Sequence, residues 1–230
     1  MNTNHVNIIC LYWVGEFRGR DFSEDDVWRL FENVSYHTDR PFSFYTLTND
    51  MKASLPGGKI ELRYAWPGWW SKMELHRPDL PEGRTLYLDL DSHVIRNLQP
   101  ILDTEGDLVM FPTDVVGKKQ LTNDGWLIPR YQAATMLFDP GVMSWIWDTF
   151  VKCPEAHMSR FRSDQDVMAE WIPDQSTFPI RWMRKLKKCS KTDPPPEDVI
   201  IVTGQPGNGD FRRPELYTWL ELMTSGKEAQ

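Results

Sequence analysis

The sequence predicts a single α/β domain built on a largely parallel sheet. Three observations carry that expectation. Short apolar runs alternate with stretches of helical periodicity along the whole chain. The connection between the first two runs is long enough for a parallel crossover. The 230 residues, 40% hydrophobic, contain no repeat and no low-complexity segment, and suffice for one self-supporting core.

The first strand is expected at Val6–Tyr12, an apolar run too short for a helix. After a turn-rich stretch, Ser23 precedes Glu24, Asp25 and Asp26, the pattern of an N-cap followed by acids in the first turn. Val27, Leu30, Phe31 and Val34 then recur at helical spacing and make an amphipathic helix. Phe42–Thr48 reads as the second strand, stopped by Asn49-Asp50, and residues 59–63 as a third. A Trp-Pro-Gly-Trp-Trp loop leads to a short helix expected over residues 71–77, and residues 85–90, TLYLDL, form the clearest strand. Further strands are expected at 107–111, 135–138 and 199–202, with helices at 142–151 and Asp164–Trp171. The run Pro194-Pro195-Pro196 is a stiff connector, too short to separate domains.

Composition narrows the function. A formal charge of −7 argues against nucleic acid as a partner, since such proteins show a basic face. Eleven Trp, seven Tyr and eleven Phe fill a core, and in a cleft the same rings stack on sugars or bases. The three cysteines, Cys10, Cys153 and Cys189, form no CxxC pair, so neither a zinc site nor a disulfide framework is indicated. They fit a reducing compartment. The N-terminus lacks the form of a signal peptide, and no apolar run is long enough for a transmembrane segment. A cytoplasmic location is expected.

The informative passage is Leu86-Tyr87-Leu88-Asp89-Leu90-Asp91. On an extended strand the leucines share one face and the two acids the other, ~6.6 Å apart. They would stand at the strand's C-terminal end, where open α/β sheets bind ligands. Two such carboxylates repel unless a cation lies near them, and hard oxygen donors suit Mg²⁺ or Mn²⁺. A solvated acidic loop has the same letters. Among the five histidines, His93 alone is placed to approach the pair.

The stretch Pro67-Gly68-Trp69-Trp70-Ser71-Lys72-Met73-Glu74-Leu75, then Arg77-Pro78 and the Asp89/Asp91 strand, resembles bacterial and phage glycosyltransferases of the GT-A type, related to the family-eight, retaining, galactosyltransferase-like enzymes. The resemblance continues through Met136-Leu137-Phe138-Asp139, Ser163-Asp164-Gln165-Asp166 and Lys188-Cys189 to the proline run and residues 199–202. It implies a single-domain nucleotide-diphospho-sugar transferase fold, Rossmann-like, with a nucleotide-binding half over residues 1–91 and a sugar and acceptor half over 92–230. It implies a hexosyltransferase that uses a nucleotide sugar, a UDP-sugar above all, and a carbohydrate or other acceptor. Asp89 and Asp91 would hold Mn²⁺ or Mg²⁺ on the diphosphate, with Asp89 also facing the donor. Lys72 would meet phosphate or donor sugar; Tyr12, Trp13, Thr48 and Asp50, at the ends of the first two strands, would meet base and ribose. Asp164 would bind a sugar hydroxyl and Gln165 would lie near the anomeric carbon, although either acid of that motif also serves as a helix cap. Arg184, Lys185, Lys187 and Lys188 form a basic cluster that suits a diphosphate or a solvated face.

Two departures stand out. Relatives carry a His-Gly-x-Pro-Lys-Pro segment after the last strand, whereas this chain reads Thr203-Gly204-Gln205-Pro206-Gly207-Asn208. Thr203 thus takes the place of a metal-binding histidine as a weaker ligand. Gln132 takes the place of an asparagine expected at the sugar, with its amide moved by one methylene. Two readings stay open: an active, metal-assisted retaining glycosyltransferase, or a non-catalytic nucleotide- or glycan-binding relative whose metal site has decayed. A phosphohydrolase that opens its fold with the same acidic motif is a poor third, because 88 residues precede Asp89.

Overall fold

The computed structural model describes residues 5–17, 22–113, 130–189 and 195–204. The chain runs through β1 (Val6–Tyr12), α1 (Glu24–Tyr36), β2 (Phe42–Thr48), β3 (Gly58–Glu61), a 3₁₀ segment (Gly68–His76), β4 (Thr85–Leu88), β5 (Ser92–Val94) and α2 (Gln99–Leu102). It continues through β6 (Leu108–Pro112), β7 (Tyr131–Phe138), α3 (Ser144–Phe150), α4 (Pro154–Arg160), α5 (Asp164–Trp171), β8 (Ser176–Thr177), β9 (Met183–Lys185) and β10 (Ile201–Thr203). One sheet has the order β3-β2-β1-β4-β7-β6-β8, in which β7 alone runs against the others. A smaller sheet has the order β5-β10-β9. The expected mixed α/β domain with a mostly parallel sheet is what forms.

Period-two alternation along β1 explains the layers. Val6, Ile8, Cys10 and Tyr12 join one core with Val27, Leu30 and Val34 of α1 and Ile201 of the small sheet. Ile9 faces the other way, into a second core with the 3₁₀ segment, α3 and α5. β4 divides likewise, with Leu86 and Leu88 in the first core and Tyr87 in the second. A strand covered on both faces reads as a continuous apolar run, and for that reason β1 and above all β4 stand out in the sequence. At the start of α1 the Ser23 amide donates to Asp26 Oδ2 at 2.9 Å.

Differences from expectation lie mostly at ends. β4 stops at Leu88, and a turn closed by the Ser92 amide on Asp89 O at 2.9 Å follows it. Asp89 and Asp91 are therefore turn residues rather than strand residues. β7 extends back to Tyr131, helped by a register slip between Met110 and Phe111. The helix expected at 71–77 is a nine-residue 3₁₀ segment that starts at Gly68. Gly68 has φ +57, and a Cβ there would fall 2.0 Å from the Phe17 ring, so only glycine fits. Of the small sheet only β10 was expected, at 199–202, and it forms at Ile201–Thr203; β5, β9 and α4 have no strong periodicity and were not expected.

Glu74 fixes this 3₁₀ segment to the sheet. Its fully buried carboxylate accepts from the amides of Arg63, Tyr64 and Ala65 at 2.8, 2.9 and 3.2 Å, and from Arg77 Nη1 at 2.8 Å. Arg77 also donates to Glu61 O at 2.9 Å. Breaking a buried pair leaves an uncompensated charge. Arg77→Met should therefore destabilise the fold by about 3–5 kcal/mol, read as a lower urea midpoint with an unchanged denaturant slope.

Candidate donor site at the carboxylate turn

The order of the large sheet reverses between β1 and β4, because β2 and β3 lie on one side of β1 and β4 lies on the other. Ligands of open α/β sheets bind at the carboxyl ends of strands beside such a point. Tyr12 pairs with Thr48 and Ile9 with Tyr87, so the ends of β1, β2 and β4 reach the same edge. β7, running the other way, begins there, and Ala134 O accepts the Asp89 amide at 2.8 Å. The Gly204 amide donates to Asp91 O at 2.9 Å, which joins the end of β10 to the same turn.

Lys72 gathers the charges. Its Nζ lies 2.7 Å from Asp89 Oδ1, 2.8 Å from Asp89 Oδ2 and 3.9 Å from Asp164 Oδ2. Residues separated by 17 and by 75 positions from Asp89 thus meet it at one place. Burial alone would lower the Lys72 pKa, but Asp89, Asp164 and Asp91 outweigh it and hold the ammonium above its ordinary range. Tyr87, two residues before Asp89 and on the same face, donates its hydroxyl to Asp89 Oδ1 at 2.5 Å. Burial and then the Asp89 charge push that phenol well above its usual value. Asp91 is pushed up to about 6 by burial and by its neighbour Asp89.

Asp164 opens α5 and is 3% exposed. Burial is the main reason its carboxyl rises to about 6, against the pull of Lys72. Its Oδ2 has no hydrogen-bond partner among the described residues, although Lys72 is at ion-pair distance. Gln165 follows it, half-buried. Asp166, the second acid of that motif, is held by Arg162 through its backbone amide at 3.1 Å and its guanidinium at 2.9 and 3.0 Å.

The remaining expected residues come to the same edge with part of their polar capacity engaged. Thr48 Oγ1 accepts the Asp50 amide and Asp50 Oδ1 accepts the Lys52 amide, each at 3.0 Å, which makes a local turn. Tyr12 is buried, and Trp13 donates its indole N–H to Ala65 O at 3.2 Å. A Cβ on Gly15 would fall 2.3 Å from the Trp13 ring, so the chain folds closely over it. Gln132 Nε2 donates to Pro112 O at 3.1 Å, across the irregular part of β6 and β7. Thr203 pairs with Ser92, but its hydroxyl contacts Met183 Sδ at 3.6 Å. Thr203 reaches the turn through the backbone of its successor, not through its oxygen. Arg184 of the basic cluster donates to Lys188 O at 2.6 and 3.1 Å. Gln205 to Asn208 lie outside the described residues.

Three contributors were missed. Tyr87 could have been found from the same alternation that paired the acids. Asn49 closes the ends of β1 and β2, accepting the Val14 amide at 2.8 Å and donating to Val14 O at 2.7 Å. Arg29 reaches Leu90 O at 2.5 Å from α1, and helical spacing contains no sign of that. His93 faces Arg29 and Gly204 O rather than the acids.

No protein-family model and no curated protein sequence matches the chain. Solved structures do. The chain superposes on an active-site glutamine-to-glutamate mutant of LgtC with TM-score 0.62 at 15% identity, covering 95% of both chains. The galactosyltransferase LgtC in complex with donor and acceptor sugar analogues gives 0.60 at 15%, again with 95% of both covered. GlyE, a glycosyltransferase of Streptococcus pneumoniae TIGR4, gives 0.63 at 14%, over 96% of this chain and 60% of GlyE. The fold is thus that of these glycosyltransferases, as the resemblance implied.

Stability should record the buried acids. A carboxyl whose pKa is higher folded than unfolded keeps its proton where the unfolded chain has lost it. Its stabilising contribution is complete below pH ~4 and is lost as pH rises toward about 6. Asp91 and Asp164 act with the same sign. Urea denaturation should give falling stability across that window, and Asp164→Asn should remove on the order of 2–3 kcal/mol of the fall.

Proposed function

We propose that this protein transfers a hexose from a nucleotide-sugar donor, a UDP-sugar above all, to a carbohydrate or other acceptor, with retention and with help from Mn²⁺ or Mg²⁺. The observation that carries the reading is the Lys72 cluster: a buried ammonium grips Asp89 and faces Asp164 Oδ2, which has no hydrogen-bond partner among the described residues, at the switch point. A buried carboxylate oxygen without a hydrogen-bond donor suits a sugar hydroxyl. LgtC, with the same fold, is solved with donor and acceptor sugar analogues, and a glutamine is among its active-site residues. Both points favour a sugar-facing role for Asp164 and Gln165 here.

In this reading residues 1–91 hold the nucleotide and residues 92–230 the sugar and acceptor. Trp13 and Asp50 stand at the edge where base and ribose would lie, with Tyr12 and Thr48 buried beneath them. Lys72 offers its positive charge to the diphosphate or donor sugar and holds Asp89 by both carboxylate oxygens. Gln132 stands at the start of β7, beside the sugar position. Gln165 turns its amide dipole toward the anomeric centre, where positive charge develops in the transition state, because an amide is a poor nucleophile but a useful dipole. Asp89 and Asp91 fit a divalent cation as two hard oxygen donors, in mutual repulsion that a cation relieves. Among the described residues no third His, Cys, Asp or Glu joins them, and the Thr203 hydroxyl lies at Met183. A cation bound there would supply Lewis-acid stabilisation of the departing diphosphate. The Thr203 geometry favours the second reading, a binding protein without turnover. Among the described residues no helix is long and apolar enough to cross a membrane.

Calorimetry with UDP, with and without Mn²⁺, tests the donor site. Affinity should rise with the metal, and Asp91→Asn should abolish the rise; equal affinity in all three titrations would remove the metal from the reading. Release of UDP across a panel of UDP-sugars then separates an enzyme from a binding protein, which would retain UDP binding without turnover. In the enzyme, Gln165→Ala should lower kcat by roughly 100-fold with UDP affinity nearly unchanged. Loss of UDP binding in that variant would put Gln165 in the nucleotide site instead.

A further inference from the structure

The backbone of the carboxylate turn is held from several sides. Its own closing bond runs from the Ser92 amide to Asp89 O, Ala134 O of β7 receives the Asp89 amide, and Asp91 O receives the Gly204 amide. These three are main-chain bonds. Leu90 O is held differently: Arg29 Nη2, from α1 across the first core, donates to it at 2.5 Å. The other arm of the same guanidinium, Nη1, lies 2.7 Å from His93 Nδ1. A guanidinium can only donate, so Nδ1 must present its lone pair and the ring proton belongs on Nε2. That nitrogen faces Gly204 O at 3.4 Å. A directed chain therefore runs from Arg29 through His93 to the carbonyl of Gly204, whose amide holds Asp91 O. Asp26 Oδ1, one helical turn before Arg29, lies 3.4 Å from Nη2 and steadies it.

We propose that Arg29 and His93 are positioning residues that set the conformation of the Asp89–Leu90–Asp91 turn and join it to the end of β10. His93 is then an acceptor for Arg29 rather than a ligand beside the acids. Main-chain bonds of the sheet hold the turn's ends, and the Arg29–His93 pair holds its middle. The guanidinium suits this task because its planar fork reaches two acceptors on different elements at once, which a lysine ammonium does not do with the same geometry. The consequence for ligand binding rests on the donor-site reading; the consequence for the turn does not.

Two measurements on the full chain test this with Arg29→Met, His93→Leu and His93→Asn. In Arg29→Met and His93→Leu, the amides of Ser92 and Gly204 should exchange with solvent about tenfold faster, without a matching rise across β1 and β2. UDP affinity in the presence of Mn²⁺ should weaken by about tenfold in both, whereas affinity without metal should stay near that of the unmodified protein. His93→Asn keeps an acceptor near the Nδ1 position but not the donor toward Gly204 O, and should restore the Ser92 amide and the affinity while the Gly204 amide stays fast. Unmodified exchange and affinity in Arg29→Met would overturn the proposal. So would a His93→Asn variant as impaired as His93→Leu in Ser92 exchange and affinity, or exchange that accelerates uniformly with a lowered melting temperature. If the unmodified protein binds no UDP at all, the donor-site reading fails, and the exchange comparison still decides whether the pair holds the turn.

Discussion

The contact on which the site depends is the ion pair between the buried Lys72 and the half-buried Asp89. Removing an ammonium and a carboxylate from water costs several kcal/mol for each ion, so the pair persists only where its remaining bonds are satisfied. Here they are. Lys72 reaches both oxygens of Asp89, Tyr87 donates to one of them, and Asp164 supplies a second negative charge to the same ammonium. The arrangement fixes the relative positions of the 3₁₀ segment, the end of β4 and the start of α5. It also places Asp164 Oδ2 within 3.9 Å of the same ammonium, with no hydrogen-bond partner among the described residues.

A lysine held so firmly needs a firm platform, and the 3₁₀ segment has little intrinsic stability. Such helices are usually short because their hydrogen bonds are poorly aligned. This one spans nine residues because its neighbours hold it: Glu74 and Arg77 clamp the preceding loop, Ser71 donates to Trp66 O, and Trp70 packs on Phe150. The Trp-rich stretch is therefore largely structural. Trp66 lies between Tyr64, Trp147 and Phe150 and is 7% exposed. The tryptophan count that suggested sugar stacking belongs in good part to the second core.

Much of the fold was legible because burial on both faces writes itself into sequence. β1 and β2 were read with their observed bounds, and α5 likewise, since its Asp164-Gln165-Asp166 start follows an N-cap serine. Most of the small sheet was not legible: β5 and β9 have three residues each, too few for a period to appear, whereas the apolar run at 199–202 marked β10. The carboxylate pair was legible as chemistry but misread as geometry. Strand alternation predicted two acids on one extended face, whereas the chain turns immediately after Leu88.

What the sequence determined by itself was the inventory and its order: an α/β chain with two acids after its strongest strand, a lysine before them and an acid-amide pair far downstream. Periodicity and capping are local properties, and local spacing is enough to read them. Tertiary structure alone decided which of those residues meet. Lys72, Asp89 and Asp164 converge because the sheet order reverses beside β1 and α5 packs on the second core, and no local pattern encodes either fact. The same holds for Arg29, which lies on an ordinary amphipathic helix yet holds the turn 61 residues away. A hydrogen bond between distant segments follows from how the layers pack, and packing is a property of the whole chain.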